Sequence, residues 1–379
     1  MAAFSKSTFD AAAYLAFRPS YPKWVHDKVL SYHFNAPHTA SSSTARAAPT
    51  PTQRSRSALA IDLGCGPGIS TLTLLPHFDR VVGIDPSSKM VGAAIRADSP
   101  NLPDTLRPNV SEGSKGRLGL LEYKEGFSED MPFLAEESVD LVTSGQAAHW
   151  FDYPRFWKEI TRILKPGGSV CLYGYPDFFL PDFPSTRPLL DAFAIPPGDG
   201  APPESEAAAH KITVDSVRDY WEQPGRSIVS RCFNPIPLPT AFADSVAEKW
   251  DPRSTVKRVY STQGLAKSQI WPSWPALASD DLPDSSLSPE VQAEIKKDGT
   301  LDKTLTWDTF GKYLRTWSSV NTYLGQHPND AEAHGGQDVV DRFLAQLRAE
   351  ITRANNDIPV ESVLLRWPLC FVMIKKKDV

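Results

Sequence analysis

The sequence predicts an α/β protein built on a doubly wound, mostly parallel sheet, and two stretches carry that expectation. In Ala60-Ile61-Asp62-Leu63-Gly64-Cys65-Gly66-Pro67-Gly68 an apolar run enters an acid and then three alternating glycines. Residues 59–63 read as a short strand buried on both faces, and the glycines allow a tight turn whose backbone can approach a ligand. A helix is expected from about Ile69. The second stretch, Val81-Val82-Gly83-Ile84-Asp85, is another apolar strand ending in an acid, 23 positions after Asp62. A Rossmann-like unit places there the carboxylate that holds ribose hydroxyls.

The remaining elements follow in order. Pro86-Ser87-Ser88-Lys89-Met90 opens the next helix, with Met90 set to pack on an adenine. Residues 121–124 read as a third strand, followed by a polar turn in which Phe127 and Ser128 would read the adenine edge. Residues 139–144 form a fourth strand that delivers Gln146, His149 and Trp150 to the carboxyl edge of the sheet, where open α/β proteins bind ligands. Phe156, Ile160, Ile163 and Leu164 recur at helical spacing, and Lys165-Pro166-Gly167-Gly168 stops that helix before a fifth strand at 169–173. Helical segments are expected near 214–221, 240–250 and 310–323. Val339, Val340, Phe343, Leu344, Leu347 and Ile351 mark an amphipathic helix over 338–351 that should cover the sheet. Residues 363–374, interrupted at Pro368, supply closing strands, which makes the sheet seven-stranded.

The loop chemistry narrows the ligand. The spacing is Gly-x-Gly-x-Gly, with Ile69 where the dinucleotide fingerprint has its third glycine, so a pyrophosphate is disfavoured. Asp62 fits poorly beside a pyrophosphate and well beside an ammonium group. The expected cofactor is S-adenosylmethionine, held by Asp62, Gly64, Cys65, Gly66, Gly68, Asp85, Pro86, Met90, Phe127, Ser128 and Gln146, with no metal.

On Asp62 to Gly68, Gly83-Ile84-Asp85 and Leu164 to Gly168, all in the same order, residues 58–175 resemble the class I S-adenosylmethionine-dependent methyltransferases. Four further stretches are similar to the fungal trans-aconitate methyltransferases and their cantharidin-methylating relatives. These are Tyr14 with Arg18-Pro19-Ser20-Tyr21-Pro22, Gln146 to Phe151, Tyr220 to Ser227 and Tyr313 to Ser318. That resemblance implies an N-terminal segment lying over the cofactor, with Tyr14 and Arg18 in contact with it, and a small acid as methyl acceptor.

Methyl transfer from a sulfonium asks the protein to align the partners and exclude water. A carboxylate acceptor is already anionic at neutral pH and needs a cationic or hydrogen-bonding grip, not a base. Arg226 and Arg315, each beside aromatics, are the candidates for that grip, and a surface or interhelical salt bridge is the competing account of both. His149 would deprotonate a hydroxyl, orient a carboxylate or simply hydrogen-bond at the sheet edge. Trp150, Trp221 and Trp317 are expected to wall the acceptor pocket, and Tyr21 either to join them or to pack an N-terminal helix. The leading expectation is methylation of an oxygen, a carboxylate first, on a small organic acid or related metabolite. The alternatives are a hydroxyl or amine of a secondary metabolite, and a non-catalytic S-adenosylmethionine-binding regulatory protein.

Composition sets outer bounds. With 379 residues, 41% of them hydrophobic, the chain can bury a large core. A net charge of −5 argues against a nucleic-acid partner. Cys65, Cys171, Cys232 and Cys370 show no metal-ligand spacing and are expected to be reduced thiols. No apolar run reaches the length of a membrane span and the first fourteen residues lack a targeting pattern, so a cytoplasmic enzyme is expected; the oligomeric state stays open. The expected organisation is 1–35, cofactor-covering helices; 36–57, a linker rich in Ala, Ser, Thr and Pro; 58–175, the Rossmann-like core; 176–326, a helical lid; 327–379, a helix and closing strands. Polar insertions are expected at 98–119 and 273–289.

Overall fold

The computed structural model describes residues 16–34, 58–95, 120–196, 214–260 and 299–378. Tyr14, the linker 36–57 and the insertions 98–119 and 273–289 lie outside the described residues. The elements are α1 (Lys23–Phe34), β1 (Leu59–Leu63), α2 (Ile69–Leu74), β2 (Arg80–Asp85), α3 (Ser88–Ile95), β3 (Leu120–Glu125), β4 (Val139–Gly145), α4 (Tyr153–Ile163), β5 (Leu164–Gly174), α5 (Arg187–Ala194), α6 (Gly225–Ser230), α7 (Asp244–Ala247), β6 (Trp250–Val259), β7 (Thr300–Thr306), α8 (Trp307–Arg315), α9 (Ser318–Gln326), α10 (Asp330–Ala333), α11 (Val339–Ala354), β8 (Ser362–Pro368) and β9 (Cys370–Lys376).

Seven strands form one sheet in the order β3-β2-β1-β4-β5-β9-β6. β1 pairs in parallel with both β2 and β4, so the chain reverses its direction of winding at β1 and opens a crevice above the carboxyl ends of these strands. Only β9 runs antiparallel, between β5 and β6. The central strands are apolar without alternation because both faces are covered: all five residues of β1 are buried. On one face lie Phe156, Trp157, Ile160 and Ile163 of α4; on the other lie Trp24, Val25 and Val29 of α1. Asp152 caps α4 by accepting from the Arg155 amide.

The first five strands and their helices stand where the sequence puts them, with one difference. Lys165 to Gly168 do not precede the fifth strand but form an excursion within it, because Leu164 already pairs with Val139 and the register resumes at Leu141 and Ser169. The second half departs further. The segment 214–221 contains only a 3₁₀ turn at Arg218–Tyr220, and 240–250 only a second such turn and α7. β6, inside the span expected to be lid, is an edge strand of the main sheet, so that span is not lid alone. Its charged Asp251, Arg253 and Lys257 mask the strand pattern in the sequence. Residues 363–374 do not close one sheet together: β8 pairs with β7 in a separate two-stranded sheet, and only β9 enters the main one. The helix expected over 310–323 breaks at Trp317, whose backbone is extended, giving α8 and α9. α11 carries a capping box between Asp338 and Asp341. It packs on α8 and on the turn Pro184–Thr186, with Phe343 stacked on Phe193 at 3.9 Å, and so props the roof above the crevice. Among the described residues no helix is long and apolar enough to cross a membrane.

Candidate cofactor and acceptor site

Two glycines of the loop after β1 need their missing side chains. Gly64 has φ +65°, and a Cβ there would lie 2.2 Å from that of Ala147. Gly66 has φ +54°, and a Cβ on it would meet nothing within 4 Å among the described residues beyond its chain neighbours, so the space above it is open there. Its amide donates to Asp85 Oδ2 at 2.9 Å, while Ser87 N donates to Oδ1 at 2.8 Å. The Asp85 carboxylate therefore ties the loop to the end of β2. Burial raises its pKa, against the pull of those two amides.

One cavity of about 330 Å³ runs from this loop under the roof. At the loop end Gly64, Gly66, Asp85, Pro86, Met90, Phe127, Ser128 and Gln146, all assigned by the sequence to the cofactor, line it. Gln146 holds a left-handed backbone, φ +58°, rare for a side-chain-bearing residue. A paired bond with the Tyr175 backbone secures it: Nε2 donates to the carbonyl at 3.0 Å and Oε1 accepts from the amide at 2.8 Å.

Three expected cofactor contacts stand behind the cavity wall. Asp62 is fully buried beneath the loop, where Oδ2 accepts from Thr71 Oγ1 at 2.7 Å and Oδ1 from Thr143 Oγ1 at 2.9 Å. Both oxygens join β1 to α2 and β4, so Asp62 shapes the loop; burial raises its pKa to about 6. The Cys65 thiol lies against Gly83 of β2, and Gly68 is packed on the Tyr123 ring. All four cysteines are buried and free, and among the described residues no cluster of His, Cys, Asp and Glu could hold a metal.

At the roof end the cavity is lined by Arg18, His149, Trp150, Trp221, Arg226 and Trp317. Arg226 is buried; Nη2 donates to Asp177 Oδ1 at 2.5 Å and to the Ala194 carbonyl at 3.1 Å, and the guanidinium lies 4.3 Å from the Trp221 ring centre. Its Nε and the Nδ1 of His149 are both shielded from solvent and have no hydrogen-bond partner among the described residues. Burial, reinforced by Arg18 and Arg226, pushes the His149 pKa down to about 3. Arg18 donates to the Thr316 carbonyl at 3.1 Å and lies over Tyr313. Its own backbone carbonyl, with those of Ala16 and Phe17, accepts from Lys303 Nζ.

Two further expectations need correction. Arg315 does not line the cavity: its guanidinium is taken by Asp338, at 2.8 and 2.9 Å, and by Asp341, at 2.7 Å, the acids that cap α11. Tyr21 is not in the wall either; it packs edge-on against Tyr173 at 4.9 Å, seating the chain entering α1. The cavity also recruits residues that sequence reasoning missed. Tyr175 and Asp177 follow the carboxyl end of β5, a position the strand-edge rule flags for any parallel strand. Tyr313 opens one of the stretches that carry the resemblance but takes no site role from it, and Phe178 and Trp367 carry no local signal.

The geometry has consequences for variants. Asp85→Ala removes the acceptor of the Gly66 amide and the acid facing the cavity. At about 1.5–3 kcal/mol per charge-assisted bond it should weaken S-adenosylhomocysteine at least about tenfold in calorimetry. Arg315→Met should cost about 1–3 kcal/mol of unfolding free energy in a denaturant titration through loss of the α11 cap partner, with cofactor affinity unchanged.

Residues 61–172 match the methyltransferase domain family Methyltransf_11. Across 99% of this chain and 98% of its own length, the protein CRG1 of Saccharomyces cerevisiae, named as a probable S-adenosylmethionine-dependent methyltransferase, is 27% identical. A chloroplastic 2-methyl-6-phytyl-1,4-hydroquinone methyltransferase of Spinacia oleracea is 31% identical over 31% of this chain and 30% of its own. A solved structure from Anaeromyxobacter dehalogenans, provisionally assigned as a type II methyltransferase, covers 96% of this chain and 100% of its own at TM-score 0.50 and 18% identity, a likeness of fold. With the glycine loop, Asp85 and the seven-stranded sheet, the domain match over residues 61–172 and the full-length likeness to CRG1 support a class I S-adenosylmethionine-dependent methyltransferase. Its cofactor is S-adenosylmethionine, and the residues at the loop end fit it: open space over Gly66, an acid at the end of β2, and Met90 and Phe127 as apolar walls.

Proposed function

We propose that the chain methylates an oxygen, a carboxylate, of a small organic acid. The observation that carries this reading is the pair of buried polar atoms at the roof end, Arg226 Nε and His149 Nδ1, on residues lining one cavity. A buried donor without a partner costs about 1–3 kcal/mol, and an oxygen-bearing ligand would relieve it. Bound there, S-adenosylmethionine would supply an electrophilic methyl on a positive sulfur, and its transfer to a carboxylate oxygen, with the C–S electron pair left on sulfur as a thioether, would give a methyl ester with no proton to remove. The task left to this chain is to grip the acid and keep water out, and Arg18, Arg226 and the surrounding rings are suited to it.

The low His149 pKa also supports an acceptor that needs no base. An imidazole of pKa about 3 is neutral at pH 7, yet too weak a base to draw a proton from a hydroxyl efficiently. In a screen of acids with labelled methyl donor, the product should be a methyl ester, released as methanol by mild alkali. At saturating cofactor the rate should be level from about pH 7 to 9, because a carboxylic acid of ordinary pKa about 4 is already ionised. His149 and Asp62 have also finished titrating there. A rate climbing steadily toward pH 9, or an alkali-stable product, would overturn the carboxylate reading in favour of a hydroxyl or amine acceptor.

A further inference from the structure

The roof end of the cavity is a cage of rings with little room for a second charge. Phe178 is 6.0 Å from both Tyr313 and Trp317 and 5.7 Å from Trp367; Trp317 is 5.4 Å from Trp221. These five rings bridge the two arginines, since Arg18 lies over Tyr313 at 5.6 Å and Arg226 over Trp221 at 4.3 Å. Trp221 Nε1 is turned away from any ligand, donating to the Ala194 carbonyl at 2.8 Å. Arg226 is already answered within the same wall. Asp177 grips Arg226, and Glu222 stands at the exposed rim.

We infer that the acceptor is an acid with one carboxylate on an apolar, flat or chain-like body, and that di- and tricarboxylic acids are rejected. This rests on the carboxylate reading above and names its substrate class. One carboxylate satisfies Arg226 Nε and lies beside Arg18, and the rest of the molecule displaces water from aromatic surface. A second carboxylate would be buried against Phe178, Trp317 and Trp367 without a partner, or forced beside Asp177, and either is strongly unfavourable. The chemistry transfers one methyl to the single carboxylate, neutralises the acid, and leaves an apolar ester that the cage no longer holds by charge.

The test is a panel at fixed concentration with labelled methyl donor: cinnamate, decanoate, phenylsuccinate, citrate and trans-aconitate, each product checked for alkali lability. Cinnamate or decanoate should exceed the tricarboxylates by at least about 100-fold in kcat/KM, with an alkali-labile product. In Asp177→Asn, and independently in the rim variant Glu222→Gln, the preference for cinnamate over phenylsuccinate should shrink at least about fivefold, since each removes one competing negative charge. Labile product formed best from citrate or trans-aconitate, or a preference unmoved in both variants, overturns the single-carboxylate class while leaving ester formation standing. An alkali-stable product, or no turnover of any acid by protein that binds S-adenosylhomocysteine, removes both.

Discussion

Gly66→Val should abolish binding of S-adenosylhomocysteine, by at least about 100-fold, equivalent to about 2.7 kcal/mol, while leaving the circular dichroism near native. Two effects add. The backbone at φ +54° disfavours a branched side chain by about 1–2 kcal/mol, and the new methyl groups project into the open space that the cofactor needs. Among the described residues, chain neighbours aside, no atom lies within 4 Å of the Cβ position, so the core beneath is not compressed and the fold should tolerate the change. Gly64→Val is the informative contrast, because its Cβ collides with Ala147 and should destabilise the fold as well. Normal turnover by Gly66→Val would show that the loop does not hold the cofactor.

The second large effect concerns Arg226, and it has to be separated from a structural one. Arg226→Met alone leaves the largely buried Asp177 without its cation, with Ser230 Oγ still donating to it, a loss of up to about 3–5 kcal/mol, the figure for a broken buried pair. The double variant Arg226→Met with Asp177→Asn removes the stranded charge and should recover most of that stability. Its KM for the best acid of the panel should still be raised about 10- to 100-fold, the worth of one charge-assisted bond of about 1.5–3 kcal/mol, with S-adenosylhomocysteine affinity within error. If the double variant also regains the original KM, Arg226 only braces the roof and does not touch the acceptor.

Local chemistry explains which parts of this site can be read without a fold. The loop residues Gly64 and Gly66, and Asp85 at the end of β2, act through backbone conformation and strand ends, and both are encoded within a few neighbouring positions. The same local reading treats Arg226 and Arg315 alike, because each stands beside aromatics. Their partners tell them apart: Arg226 meets Asp177, 49 positions away, at the cavity, and Arg315 meets Asp338, 23 positions away, at the cap of a supporting helix. Asp62 shows the limit from the other side. Its acid is conspicuous in the motif, yet Thr71 and Thr143 claim both oxygens.

The α/β class, the first five strands in order and the loop end of the cavity thus follow from the chain itself, since apolar runs, glycine turns and strand-terminal acids are short-range signals. The placement of β6 at the sheet edge, the separate pairing of β7 with β8, and the ring cage of Phe178, Tyr313, Trp317 and Trp367 depend on packing between distant segments. No local pattern marks a ring that reaches a cavity as distinct from one that fills a core. The roof end is therefore written in tertiary contacts, where burial and charge pairing choose which side chains are left to meet a ligand.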